Sequence, residues 1–152
     1  MYYYLDSSAL LKRYIREDGS EYVNQIVSAP ENALFTAEIT LAEVAAVIAA
    51  KHRAPGGISD RLRENLLSKF LLESADLLFL VAVERSSIDH AVQLSQRYRL
   101  RGYDAVQLAV ALSVQHLMQI PQLSLTFVVS DQDLLDAAQA EGLQIDDPML
   151  HP

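Results

Sequence analysis

Four carboxylates stand at the edges of otherwise apolar segments: Asp6 in MYYYLDSSALL, Glu43 in LAEVAAVIAA, Asp104 in RGYDAVQLAVAL and Asp131 in LTFVVSDQDLL. Taken singly, three of them have an ordinary explanation. Asp6 and Asp131 follow strand-like runs and can cap the next helix, and Asp104 can be a first-turn acid favoured by the positive helix end. Glu43 is harder to place. It is the only polar residue from Leu41 to Ala50, with Ile39 and Val47 four positions to either side on the same helical face and no Lys or Arg within one turn. A carboxylate on a wet stripe of that helix needs nothing, whereas a buried one must meet a cation or take up a proton.

Brought into one crevice, the four acids would repel one another. Two carboxylates about 4 Å apart cost on the order of 4 kcal/mol at an effective dielectric of about 20, so the set favours a divalent ion. The chain has no cysteine, and His52, His90, His116 and His151 are scattered without ligand spacing. An oxygen-only donor set selects hard cations, Mg²⁺ or Mn²⁺, over zinc. Such ions bridge phosphate oxygens and activate water, and phosphodiester hydrolysis is the chemistry that follows.

The elements must then bring the acids together. Continuous apolar runs at Tyr2 to Leu5, Ala33 to Phe35, Leu78 to Val81 and Thr126 to Val129, with a short Gln144 to Ile145, read as strands buried on both faces. Helical patterns fill Ala9 to Ile15, Glu21 to Val27, Ile39 to Lys51, Asp60 to Glu73, Ser87 to Tyr98, Tyr103 to Met118 and Leu134 to Glu141. This alternation predicts α/β architecture in three layers, a central parallel sheet with helices on both faces, plus a small helical excursion between the second and third strands. Gly19 with Ser20 marks a helix stop and a new N-cap, APGG at 54 to 57 separates two helices, and Pro121 ends the longest one. Ligands in such sheets bind beyond the carboxyl ends of the strands, where Asp6 and Asp131 stand.

Composition bounds the rest. The 152 residues fit one domain, 1 to 152, with no linker or repeat. The formal charge of −8 argues against a broad nucleic-acid-coating surface, but it is unevenly spread: all twelve Lys and Arg lie between Lys12 and Arg101. The absence of cysteine fits a reducing cytoplasm, and the start MYYYLD, with no basic leader or membrane-length apolar run, predicts a soluble, unprocessed chain.

YLDSSALLKRY, TLAEVAA, LRGYDAVQLAVAL and FVVSDQDLLDAAQAEGLQIDDP, in this order and spacing, resemble the PIN-domain family, most closely its VapC-type toxin ribonucleases. The likeness covers nearly the whole chain and is weaker from about Gly56 to Phe79. It implies a sheet ordered 3-2-1-4-5 and a Mg²⁺-dependent endoribonuclease in which Asp6, Glu43, Asp104 and Asp131 form the catalytic metal-binding set. It also implies a homodimer and a cognate antitoxin that docks a segment across apolar helices near the site. Ser8 matches the family's small hydroxyl or amide residue two after the first Asp, which orients that carboxylate or a water. Relatives often carry Thr or Ser two residues before the last Asp; this chain has Val129 there and Ser130 beside the acid. Asp133 reads either as a first-turn acid or as a further ligand through water. Arg97, Arg99 and Arg101 are candidates for RNA phosphates, or solvated charges at a helix end. Two other functions fit the same residues: a PIN-fold nuclease in RNA maturation or on structured DNA, and a non-catalytic module whose acidic pocket binds a partner's basic tail.

Overall fold

The computed structural model describes residues 1–119 and 123–151. Five strands, β1 (Tyr2–Leu5), β2 (Ala33–Ala37), β3 (Leu78–Val81), β4 (Leu125–Val128) and β5 (Gln144–Asp146), form one parallel sheet in the order β3-β2-β1-β4-β5. The register sets Tyr4 opposite Phe35 on one side and Leu5 opposite Val128 on the other. Seven helices surround it among the described residues: α1 (Ser7–Leu11), α2 (Ser20–Ser28), α3 (Thr40–Arg53), α4 (Asp60–Leu77), α5 (Arg85–Arg97), α6 (Gly102–Gln119) and α7 (Gln132–Ala140), followed by a 3₁₀ turn at Pro148–Leu150. The α3 and α4 pair is the helical excursion between β2 and β3.

Alternation along the strands sorts side chains into two cores. Tyr4 and Phe127 point into the layer of α5, α6 and α7, packing against Leu94, Leu108 and Leu134. Tyr3, Leu5 and Val128 point the other way, against Leu10, Val23, Ile48 and Phe70 from α1 to α4. Both faces are therefore covered at β1 and β4, which is why those strands read as unbroken apolar runs. At β3 that expectation fails. Phe79 is 60% and Leu80 40% exposed, because β3 is an edge strand, and Phe79 is covered on one side by the stacked ring of Phe35.

Several boundaries also differ from the sequence reading. α1 starts at Ser7, directly after Asp6 caps it, and ends at Leu11, well before Gly19. Gly19 itself, at φ +80°, takes the N-cap position of α2, so Ser20 is the first helical residue. A Cβ on Gly19 would meet the Pro148 carbonyl oxygen at 2.5 Å, so this glycine also permits the C-terminal turn to close over α2. α4 runs on to Leu77 and passes straight into β3. The stop expected at Pro121 lies outside the described residues. No helix among the described residues is long and apolar enough to cross a membrane.

Candidate functional site

β1 and β4 lie side by side where the sheet order reverses; Asp6 directly follows β1 and Asp131 stands three residues past the end of β4. Asp6 is extended at φ −75°, ψ 173°, and caps α1: its Oδ1 accepts from the Ala9 N–H at 2.9 Å and from the Ser8 hydroxyl at 2.8 Å. Its own N–H donates to Val128 O, so β4 holds the cap in place. Asp131 does the same for α7, its Oδ1 accepting from the Leu134 N–H at 3.0 Å. Capping alone therefore does not account for every oxygen of the two carboxylates. The cap fixes the direction of each carboxylate through Oδ1 and leaves Oδ2 for another ligand.

Ser8 ties the two strand ends together, donating to Asp6 and accepting from the Ser130 N–H at 3.1 Å. The Ser130 hydroxyl, next to Asp131, is the one buried side-chain polar atom without a hydrogen-bond partner among the described residues. Such orphaned groups call for a ligand or water.

Glu43 and Asp104 come in from α3 and α6. The buried stripe of α3 is Thr40, Val44 and Ile48, so Glu43 is half-buried beside it, and Val47, expected on a buried face, is 36% exposed. The Glu43 Oε2 accepts from the Gln107 side chain at 2.6 Å. Gln107 was not singled out from the sequence, although one amide in the apolar run from Ala105 to Leu112 was a readable signal. Asp104, in the first turn of α6, is half-buried as well.

The electrostatics link the four acids. Burial, with a smaller contribution from Glu43, pushes Asp6 from 3.8 to about 7 against its hydrogen bonds from Ala9 and Ser8. Burial raises Glu43, opposed by the bond from Gln107 and reinforced by Asp104. Burial likewise raises Asp104, with Asp131 and Asp133 adding to the rise and Arg101 opposing it. Each acid in the series therefore destabilises the charge of the next, as expected of a site arranged for a cation.

As they stand, no three His, Cys, Asp or Glu side chains among the described residues converge to metal-binding spacing. The donor chemistry nevertheless fits a hard divalent ion: carboxylate oxygens under mutual repulsion, with an unpaired hydroxyl beside them. Thiolate ligation is excluded because the chain has no cysteine.

The three arginines differ in their engagement. Arg97 is paired with Glu141 at 3.0 Å and lies over the ring of Tyr98, whose hydroxyl also donates to Glu141. Arg99 is 93% exposed, with Asp133 3.8 Å from its Nε, and Arg101 is exposed beside Asp104. Arg99, Arg101 and Asp133 line a cavity of about 290 Å³ together with Ser95, Tyr98 and Leu100. A larger cavity of about 510 Å³, along Arg16 to Glu21 and Met149, contains none of the four acids and is not this site.

The PIN domain family model matches residues 3–140. Solved structures share the fold, among them the following three. FitAcB from Neisseria gonorrhoeae is 15% identical with a TM-score of 0.64, covering 99% of this chain and 99% of that one. VapBC2 from Rickettsia felis, bound to a DNA fragment from their promoter, is 14% identical with a TM-score of 0.65, covering 97% and 98%. A toxin-antitoxin complex from Klebsiella pneumoniae is 17% identical with a TM-score of 0.58, covering 95% and 96%. No curated protein matches the sequence.

Proposed function

The chain belongs to the PIN domain family, and from that premise we propose that it is a metal-dependent endoribonuclease, the toxin of a toxin-antitoxin pair. The observation that carries this reading is the series of four carboxylates near the carboxyl ends of β1 and β4, in which Glu43 raises Asp6, Asp104 raises Glu43 and Asp131 raises Asp104. Asp6, Glu43 and Asp104 hold the principal ion, Mg²⁺ or Mn²⁺, and Asp131 helps to hold it or a second one. When bound, the ion supplies Lewis-acid stabilisation of charge on the phosphoryl group and activation of water.

The remaining work falls to the protein. Ser8 and the N–H of Ala9 keep Asp6 in one orientation, and α7 does so for Asp131. Arg99 and Arg101, both exposed near the acids, hold phosphates of the RNA, while Arg97 is kept on Glu141. The water oxygen forms a bond to phosphorus as the bond to the leaving sugar oxygen breaks, and the water proton ends on that leaving oxygen.

One of the similar structures, that from Klebsiella pneumoniae, is a toxin-antitoxin complex, and the surface here is compatible with a comparable arrangement. Val47 on α3 and Leu62, Leu71 and Leu72 on α4 are exposed apolar side chains suited to an antitoxin segment, and Ile88 and Val92 on α5 are further exposed apolar side chains, assigned here to a homodimer contact. A cytoplasmic location follows from this role.

The test is cleavage of single-stranded RNA, structured RNA, single-stranded DNA and flapped DNA by the purified chain in Mg²⁺, Mn²⁺ or EDTA, with Asp104→Asn in parallel. RNA cleavage that requires the metal and is lost in Asp104→Asn is expected. Cleavage confined to DNA overturns the RNA assignment; no metal-dependent cleavage of any substrate, with basic peptides bound equally by wild type and mutant, favours the acidic-pocket binding module.

A further inference from the structure

α6 buries one polar side chain, and that side chain is fully engaged. Gln107 is 1% exposed. Its Oε1 accepts from the Tyr4 hydroxyl at 2.8 Å, and its Nε2 donates to Thr40 Oγ1 at 2.7 Å and to Glu43 Oε2 at 2.6 Å. The direction of the amide is dictated by its partners. The Tyr4 hydroxyl already accepts from the Ala37 N–H at 3.0 Å, so its hydrogen goes to an acceptor, which is Gln107 Oε1. Turning the amide over would set its N–H groups against that hydrogen and its oxygen against a carboxylate. Thr40 is held in turn by the Thr36 hydroxyl at 2.8 Å. The network thus joins β1, β2, α3 and α6, and one of its ends is Glu43.

A purely structural position in such a helix is filled more simply by Met or Leu, because a buried amide is costly unless every polar atom is paired. What Gln107 adds is a donor that orients Glu43 without neutralising it. Lys or Arg at this place would form an ion pair and compete with a cation; an amide leaves the full negative charge available.

Resting on the nuclease reading above, we propose that Gln107 is a positioning residue that sets the Glu43 carboxylate for the divalent ion, with Tyr4 fixing the direction in which Gln107 donates. Removing a partner of this kind from a metal ligand typically costs about 10- to 100-fold in metal affinity.

The experiment is titration calorimetry of Mn²⁺ into the full chain, wild type and variants, below the melting temperature of each, with RNA cleavage kinetics alongside. Gln107→Met binds Mn²⁺ about 10- to 100-fold more weakly, with kcat reduced and KM for RNA unchanged. Gln107→His largely restores both, since a neutral imidazole accepts from Tyr4 and donates to Glu43. Tyr4→Phe, which keeps the ring in the core, gives a smaller loss of affinity and carries the test if Gln107→Met does not melt cooperatively. A folded Gln107→Met, or in its place Tyr4→Phe, with wild-type Mn²⁺ affinity removes the assignment of Gln107 while leaving the nuclease intact. A wild type that neither binds Mn²⁺ nor cleaves RNA removes both.

Discussion

Asp6→Asn should stabilise the folded protein in the absence of divalent ions, although it removes a residue assigned to the active site. Asp6 is 3% exposed, and burial raises its carboxyl from 3.8 to about 7. Between those values the folded chain holds a proton that the unfolded chain has released, so stability falls as pH rises through the window. Below about pH 4 both states are protonated and the acid costs nothing. At pH 8 the full difference is expressed, up to about 4 kcal/mol, and at pH 5 about 2 kcal/mol. Asparagine keeps the shape and an oxygen for the bonds from Ser8 and Ala9, without the charge. For a chain of 152 residues, about 4 kcal/mol corresponds to roughly 8–16 °C in Tm. The assay is urea and thermal denaturation of wild type and Asp6→Asn in EDTA at pH 4, 5 and 8. The gap between the two should widen with pH. Mn²⁺ at 100 times its Kd should then raise the wild type by about 2.7 kcal/mol and the mutant far less. A mutant no more stable than wild type at pH 8, or a gap independent of pH, would refute the claim that Asp6 is held charged at a cost.

Ser8→Ala removes the hydroxyl that bridges Asp6 and the Ser130 N–H, and should lower stability by about 1–3 kcal/mol in urea denaturation while raising the apparent pKa of Asp6 further, read by NMR. The Arg99→Ala, Arg101→Ala double variant should weaken RNA binding uniformly across sequences and reduce the log–log salt slope by about 1.4, measured by fluorescence anisotropy in a non-catalytic background. Gly19→Ala places a Cβ 2.5 Å from the Pro148 carbonyl at φ +80°, and should destabilise by more than about 1 kcal/mol, with increased hydrogen exchange in the C-terminal turn.

How legible these features were depended on local chemistry. β1 and β4 announced themselves because both of their faces are buried, and the acids that follow them double as helix caps, a role a sequence shows directly. β3 has the same apolar character but lies at the edge with Phe79 exposed, a difference set by its neighbours in space and invisible in LFLV. Glu43 stood out as a lone charge in an apolar helix, yet the helix turns a different stripe, Thr40, Val44 and Ile48, to the core. Gln107 gave the same kind of signal one charge weaker, and its meaning depends on Tyr4, 103 residues away, and on Glu43, 64 residues away. The engagement of Arg97 by Glu141 is likewise a long-range contact that RYRLR does not reveal.

The most direct measurement is a crystal of the full chain soaked in Mn²⁺, with anomalous scattering recorded at the manganese edge. A peak bounded by the carboxylates of Asp6, Glu43 and Asp104, with Asp131 beside it or beside a second peak, is the expected result. Saturating Mn²⁺ with no peak at the ends of β1 and β4, or with ions bound only elsewhere on the acidic surface, would contradict a shared metal site.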